Sequence, residues 1–265
     1  MPVSRRLRIF LAVTFLVTWT CWGILVPLAR TQTVVYGQIS FMLLYLLGGA
    51  GPTLAAYVAV LATPSQSPLT EFHSRLFRWR VPAWWFAVAV ALPAALALAS
   101  AIGAIVVRPD FLRMMPARPW YMLVPLFFKM VVGGGLEELG WRGIAQPEME
   151  RALSRPVAAV LLGLIWALWH LLLFALPGVG QYGTNFPVFA VGVVGNALIL
   201  AWLYGRTGSI LLCIVFHASL NVVATLGSAI PSSGHSPAVL DACLRVIVGA
   251  LLLAVDAALS KRASR

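Results

Sequence analysis

Apolar stretches of about twenty residues recur along the whole chain, and each is long enough to cross a bilayer as a helix. They fall at roughly 8–29, 38–62, 82–107, 125–146, 157–176, 186–204, 208–228 and 238–259. In lipid every backbone polar group must be satisfied within its own segment, so runs of this length form helices. The expected fold class is all-α, a polytopic transmembrane helical bundle of about eight spans. Composition agrees. With 61% hydrophobic and 10% charged residues among 265, a soluble domain could not cover itself with polar surface. No internal repeat or low-complexity linker divides the chain, so residues 1–265 are expected to form one integral membrane domain.

The net charge of +11 does not point to nucleic acid, because the basic residues punctuate the gaps between apolar runs instead of forming a patch. With about eight spans the two termini share a side. The termini and the gaps near 63–81, 147–156 and 205–207 hold Arg5, Arg6, Arg8, Arg75, Arg78, Arg80, Arg151, Arg155, Arg206, Lys261, Arg262 and Arg265. The opposite gaps hold Arg30, Arg108, Arg113 and Arg118. That asymmetry predicts a multi-pass protein of the cell membrane with both termini cytoplasmic. The first apolar run is longer than a signal peptide requires and lacks a small-residue cleavage site, so it reads as an uncleaved span. Cys21, Cys213 and Cys243 lie within apolar runs without metal-binding spacing and read as inert thiols.

Against this background, Gly135-Leu136-Glu137-Glu138-Leu139-Gly140-Trp141-Arg142 is anomalous. The chain has eight acidic residues, and two stand side by side inside an apolar run. A charge within a bilayer is costly unless it is paired or faces water, which makes such a cluster a functional site by default. Glu138 and Arg142 are four apart with the acid first, the favourable order for an ion pair on one helix. That pairing would leave Glu137, about 100° round the helix, to face a cavity alone. A span beginning at Pro125 and ended by Pro147 would place Glu137 about 18 Å along the helix axis, with Lys129 near the outer interface.

Two further polar pairs interrupt apolar runs: Trp166 with His170, and His217 with Asn221, each at a spacing that shares one helix face. His217 falls at a depth close to that of Glu137, and His170 somewhat deeper, so its helix must tilt or begin earlier. A carboxylate with a neutral imidazole can deprotonate water, and a second imidazole with a carboxamide can hold an oxyanion. The same Glu137, His170 and His217 could instead be zinc ligands, with a fourth position left for water. No HExxH segment is present. Each feature alone has a plain structural explanation as an ion pair or a helix–helix hydrogen bond. Trp141, Trp166 and Trp169 read as packing residues, Asp241 with Arg245 as a structural pair, and His73 and His235 as loop residues. Asn196 has no assigned role.

Glu137-Glu138-x-x-x-Arg142, Trp166-x-x-x-His170 and His217-x-x-x-Asn221, in that order, resemble the three motifs of the CPBP family of CAAX prenyl and bacteriocin-processing intramembrane proteases. Gly140-Trp141-Arg142-Gly143 and Arg206-Thr207-Gly208-Ser209 are also similar to bacterial members. The resemblance is strongest over about 130–225, with a protease core at about 125–228. The second motif usually begins with Phe, where this chain has Trp166. The resemblance implies an intramembrane endopeptidase (a CAAX-type hydrolase, often labelled a metalloprotease) acting on a membrane-associated or lipidated protein near the cytoplasmic leaflet. It implies that Glu137 and His170 activate water while His217 and Asn221 stabilise the oxyanion, with Glu138, Arg142 and Trp166 in support. Zinc held by Glu137, His170 and His217 stays open as the alternative. A rival reading from another class is a non-catalytic membrane protein that binds a partner, as in bacteriocin self-immunity.

Overall fold

The computed structural model describes residues 3–64, 68–107, 109, 119–227 and 235–263. The regular structure among its described residues is all helix, with no strand. The principal helices are α1 (Arg5–Arg30), α2 (Ile39–Gly49), α3 (Gly51–Leu61), α4 (Pro68–Leu76), α5 (Trp84–Val107) and α6 (Leu123–Val132). They are followed by α7 (Arg155–Trp169), α8 (Phe186–Thr207), α9 (Ile210–Gly227) and α10 (His235–Ala263).

Five segments among the described residues have the length and composition to cross a membrane: Arg5–Arg30, Trp84–Val107, Arg155–Ala175, Phe186–Thr207 and Ala238–Arg262. The bent pair α2 and α3 adds a sixth where the two are counted as one span. This is a multi-pass helical bundle. The expected second span is broken, because α2 and α3 meet at a 44° bend around Ala50, with Pro52 in the first turn of α3. Proline lacks the N–H that a continuing helix would use there.

The expected fourth span differs most. It is not one helix from Pro125 to Pro147 but α6, a 3₁₀ turn at Gly135–Glu137, a short turn at Glu138–Gly140, a π-helical turn at Trp141–Ala145 and a last helix at Gln146–Glu150. Three successive glycines, Gly133 to Gly135, contribute no side chain to stabilise a helix and weaken it by about 1 kcal/mol each relative to alanine. A depth counted along a continuous helix therefore does not apply to Glu137. Pro147 does not end the element either; it sits in the first turn of Gln146–Glu150, where its missing N–H costs nothing.

The basic gap at 63–81 contains α4, which the apolar-run criterion passed over because the helix is amphipathic rather than apolar. It buries Phe72 and Leu76 and carries His73, whose Nε2 lies 3.3 Å from the Tyr57 hydroxyl. His73 is thus a helix residue, not a loop residue. His235 opens α10. Arg108, Arg113, Arg118 and Arg265 lie outside the described residues.

The broken fourth segment is wrapped by the N-terminal helices. A Cβ on Gly140 would lie 2.5 Å from the Phe10 ring and 2.6 Å from the Pro52 carbonyl, so α1 and α3 press directly on its backbone. Thr53 Oγ1 donates to the Leu136 carbonyl at 2.8 Å, satisfying a group that the break has freed from helical bonding. Trp169 Nε1 donates to Thr18 Oγ1 at 2.8 Å, and Thr18 donates onward to the Gly48 carbonyl at 2.7 Å, tying α7 to α1 and α2.

Candidate active site

The two adjacent glutamates have different surroundings. Glu138 is fully buried and makes an ion pair with Arg142 at 2.9 Å, with both side chains at 0% exposure. The pair expected from the sequence is present, but the turn from Trp141 is π-helical rather than α-helical. Glu138 also takes a second partner: its Oε1 lies 2.8 Å from His217 Nδ1. A carboxylate only accepts, so Nδ1 is the donor. Arg142 further lies against the face of Trp166, 4.8 Å from the ring centroid.

Glu137 turns toward a cavity of about 680 Å³, to which Trp166, His170, His217 and Asn221 also contribute. Glu137 Oε2 accepts from Trp166 Nε1–H at 2.9 Å. Trp166 is therefore more than a packing residue: its indole edge holds the Glu137 carboxylate and its ring meets His217 edge-on at 5.2 Å. Phenylalanine, the usual first residue of this motif, could supply the ring but not the N–H. The expected result for Trp166→Phe is a roughly tenfold to hundredfold lower turnover with the fold retained. That is the weight of one hydrogen bond to a charged group, about 1.5–3 kcal/mol.

The two histidines are anchored differently, and the difference assigns their free nitrogens. His170 caps α7, and its Nδ1 lies 2.8 Å from the Trp166 carbonyl. A carbonyl only accepts, so Nδ1 carries the proton and Nε2 of the neutral ring is an acceptor. His217 spends Nδ1–H on a carboxylate, so its Nε2 donates only when the ring is doubly protonated. His170 can accept at its free nitrogen, and His217 can give a hydrogen bond there only in its doubly protonated form.

Sequence reasoning did not single out Gly134. A Cβ there would lie 2.3 Å from Asn221 Nδ2 and 3.2 Å from His217 Nε2. On Gly135 it would meet Ile214 at 3.0 Å. The glycine run that breaks the helix thus also lets α9 approach the broken backbone, with Ile214, His217 and Asn221 on the touching face. The signal was visible in the sequence as three consecutive glycines before the glutamates.

The alternative use of Glu137, His170 and His217 is as zinc ligands. Among the described residues no three His, Cys, Asp or Glu side chains converge as a metal site requires. Glu137, His170 and His217 share the cavity wall.

The family model described as Type II CAAX prenyl endopeptidase Rce1-like matches residues 119–223. That stretch contains Glu137, His170, His217 and Asn221. The enzyme class is that of the CAAX-type membrane proteases. The CAAX prenyl protease 2 of Methanococcus maripaludis is 24% identical over 233 residues, covering 81% of this chain and 82% of that protein. The similarity to this relative therefore extends beyond residues 119–223.

Proposed function

We propose that this protease hydrolyses a peptide bond of a membrane-associated or lipidated protein near the cytoplasmic side of the bilayer, with both of its termini in the cytoplasm. In this reading Glu137 and His170 activate the water, and His217 and Asn221 receive the oxyanion. The observation that carries it is the meeting of these four side chains, from three segments far apart in sequence, on one cavity inside a membrane bundle.

Each step follows from the partners each group already has. Glu137 accepts one hydrogen bond from Trp166, which leaves its other lone pairs for a water. His170 Nε2, held as an acceptor, orients that water by taking its second hydrogen. Glu137 removes a proton as the water oxygen attacks the scissile carbonyl carbon. The carbonyl oxygen becomes negative and is received by Asn221 Nδ2–H and, when the His217 ring is doubly protonated, by its Nε2–H. Glu137 then passes its proton to the leaving amine as the C–N bond breaks. No metal enters these proposed steps.

The test is cleavage of prenylated CAAX peptides and of unlipidated controls by purified protein in bilayer discs, with and without a strong chelator. The expected result is cleavage that survives the chelator and disappears in Glu137→Gln. Cleavage abolished by chelation and restored by zinc would overturn the metal-free mechanism. Undiminished cleavage by Glu137→Gln would overturn the assignment of the base.

A further inference from the structure

The cavity has a second polar wall that the hydrolytic chemistry leaves unused. Asn196 of α8 and Asp241 and Arg245 of α10 line it. The two helices are in close contact there: a Cβ on Gly195 would lie 2.6 Å from that of Arg245. Asp241 is held from two directions, accepting Ser100 Oγ–H at 3.0 Å and pairing with the Arg245 Nη2 one turn on.

Two hydrogen-bonding demands remain unmet. Asn196 is 5% exposed, and its amide oxygen has no partner. Arg245 Nε has none either. Arg245 lies about 15 Å along α10 from its first residue, a depth at which an ionisable side chain marks a functional position. It is also the only lysine or arginine among the described residues lining this cavity. Asp241 alone would suffice to neutralise it, and a purely structural pair gives no reason for the orphaned amide beside it.

We propose that Arg245 receives the terminal carboxylate of the substrate segment on the C-terminal side of the scissile bond, with the Asn196 amide beside it on the same wall. This rests on the protease reading and adds to it a preference for a free C-terminus. The guanidinium keeps donors beyond the one given to Asp241, and its planar fork suits a carboxylate. Within an apolar cavity that interaction is screened far less than in water. Asp241 orients the guanidinium and competes with the ligand for it.

The experiment measures binding of a prenylated CAAX peptide whose scissile bond is N-methylated, as the free acid and as the C-terminal amide, to the full chain in bilayer discs. The wild type is expected to bind the acid at least tenfold more tightly than the amide. Arg245→Gln should erase that ratio, Arg245→Lys should keep part of it, and Asp241→Asn should keep or widen it by removing the competing carboxylate. Equal affinity of the wild type for acid and amide, or failure to bind either, overturns the proposal. So does an unchanged ratio in Arg245→Gln, or a ratio that collapses in Asp241→Asn as well, which is the mark of a merely structural pair. Discrimination in binding without cleavage of the unmodified peptide would overturn the protease reading and leave this site standing.

Discussion

Glutamine at position 138 is expected to extinguish cleavage as completely as glutamine at position 137, by a different route and with a different cost to the fold. Glu137→Gln keeps the shape of the side chain and can still accept from Trp166 Nε1. It loses the base, so turnover should fall by three orders of magnitude or more while thermal stability stays within about 1 kcal/mol of wild type. Glu138 does not face the reaction. It holds His217 Nδ1 at 2.8 Å and Arg142 at 2.9 Å, and the arginine has 0% exposure. Removing its charge leaves a buried guanidinium without a counter-ion, at a cost of about 3–5 kcal/mol. It also removes the carboxylate that accepts His217 Nδ1–H and holds that ring in place. Thermal melting in bilayer discs, measured beside cleavage, separates the two. If Glu138→Gln melts like wild type, the ion pair does not carry the structural weight assigned to it.

Gly134→Ala should produce the opposite combination, a folded protein with a misplaced oxyanion donor. The added Cβ would lie 2.3 Å from Asn221 Nδ2, and the amide, at the end of a flexible side chain, can swing aside. Melting should therefore move little. A shift of about 1 Å in a catalytic group can cost about a hundredfold in rate, and that is the loss expected in kcat. KM should change less, because the added methyl meets the donors and not the body of the substrate. A loss confined to KM would show instead that the methyl blocks the peptide.

Much of this was legible in the sequence because the bilayer leaves so few choices. Runs of apolar residues give helices, and polar residues inside them are rare enough to be noticed one by one. Glu137, His170, His217 and Asn221 stood out in this way, and the structure gathers them. What was not legible was the path of the fourth segment. Counting 1.5 Å per residue from Pro125 assumed a continuous helix, whereas Gly133 to Gly135 break it and Trp141–Ala145 widens it into a π turn. Nor did helical spacing reveal that Glu138 reaches His217, because that contact joins positions 79 residues apart. The partner of Trp166 is hidden for a related reason. A tryptophan in an apolar helix looks like filler until the acceptor for its N–H is located, and Glu137 lies 29 residues away.

The Glu138–Arg142 pair also bears on how such a chain enters the bilayer during synthesis. Both charges lie within one segment, so they can neutralise each other as that segment leaves the translocation machinery, before any later helix exists. Inserting either alone would cost about 2.5–3.5 kcal/mol. Glu137 has no such partner nearby; Trp166 belongs to a helix made afterwards. The newborn protein therefore carries one acid that waits for its neighbour, and its ability to cut arises only after α7 and α9 have been threaded and packed.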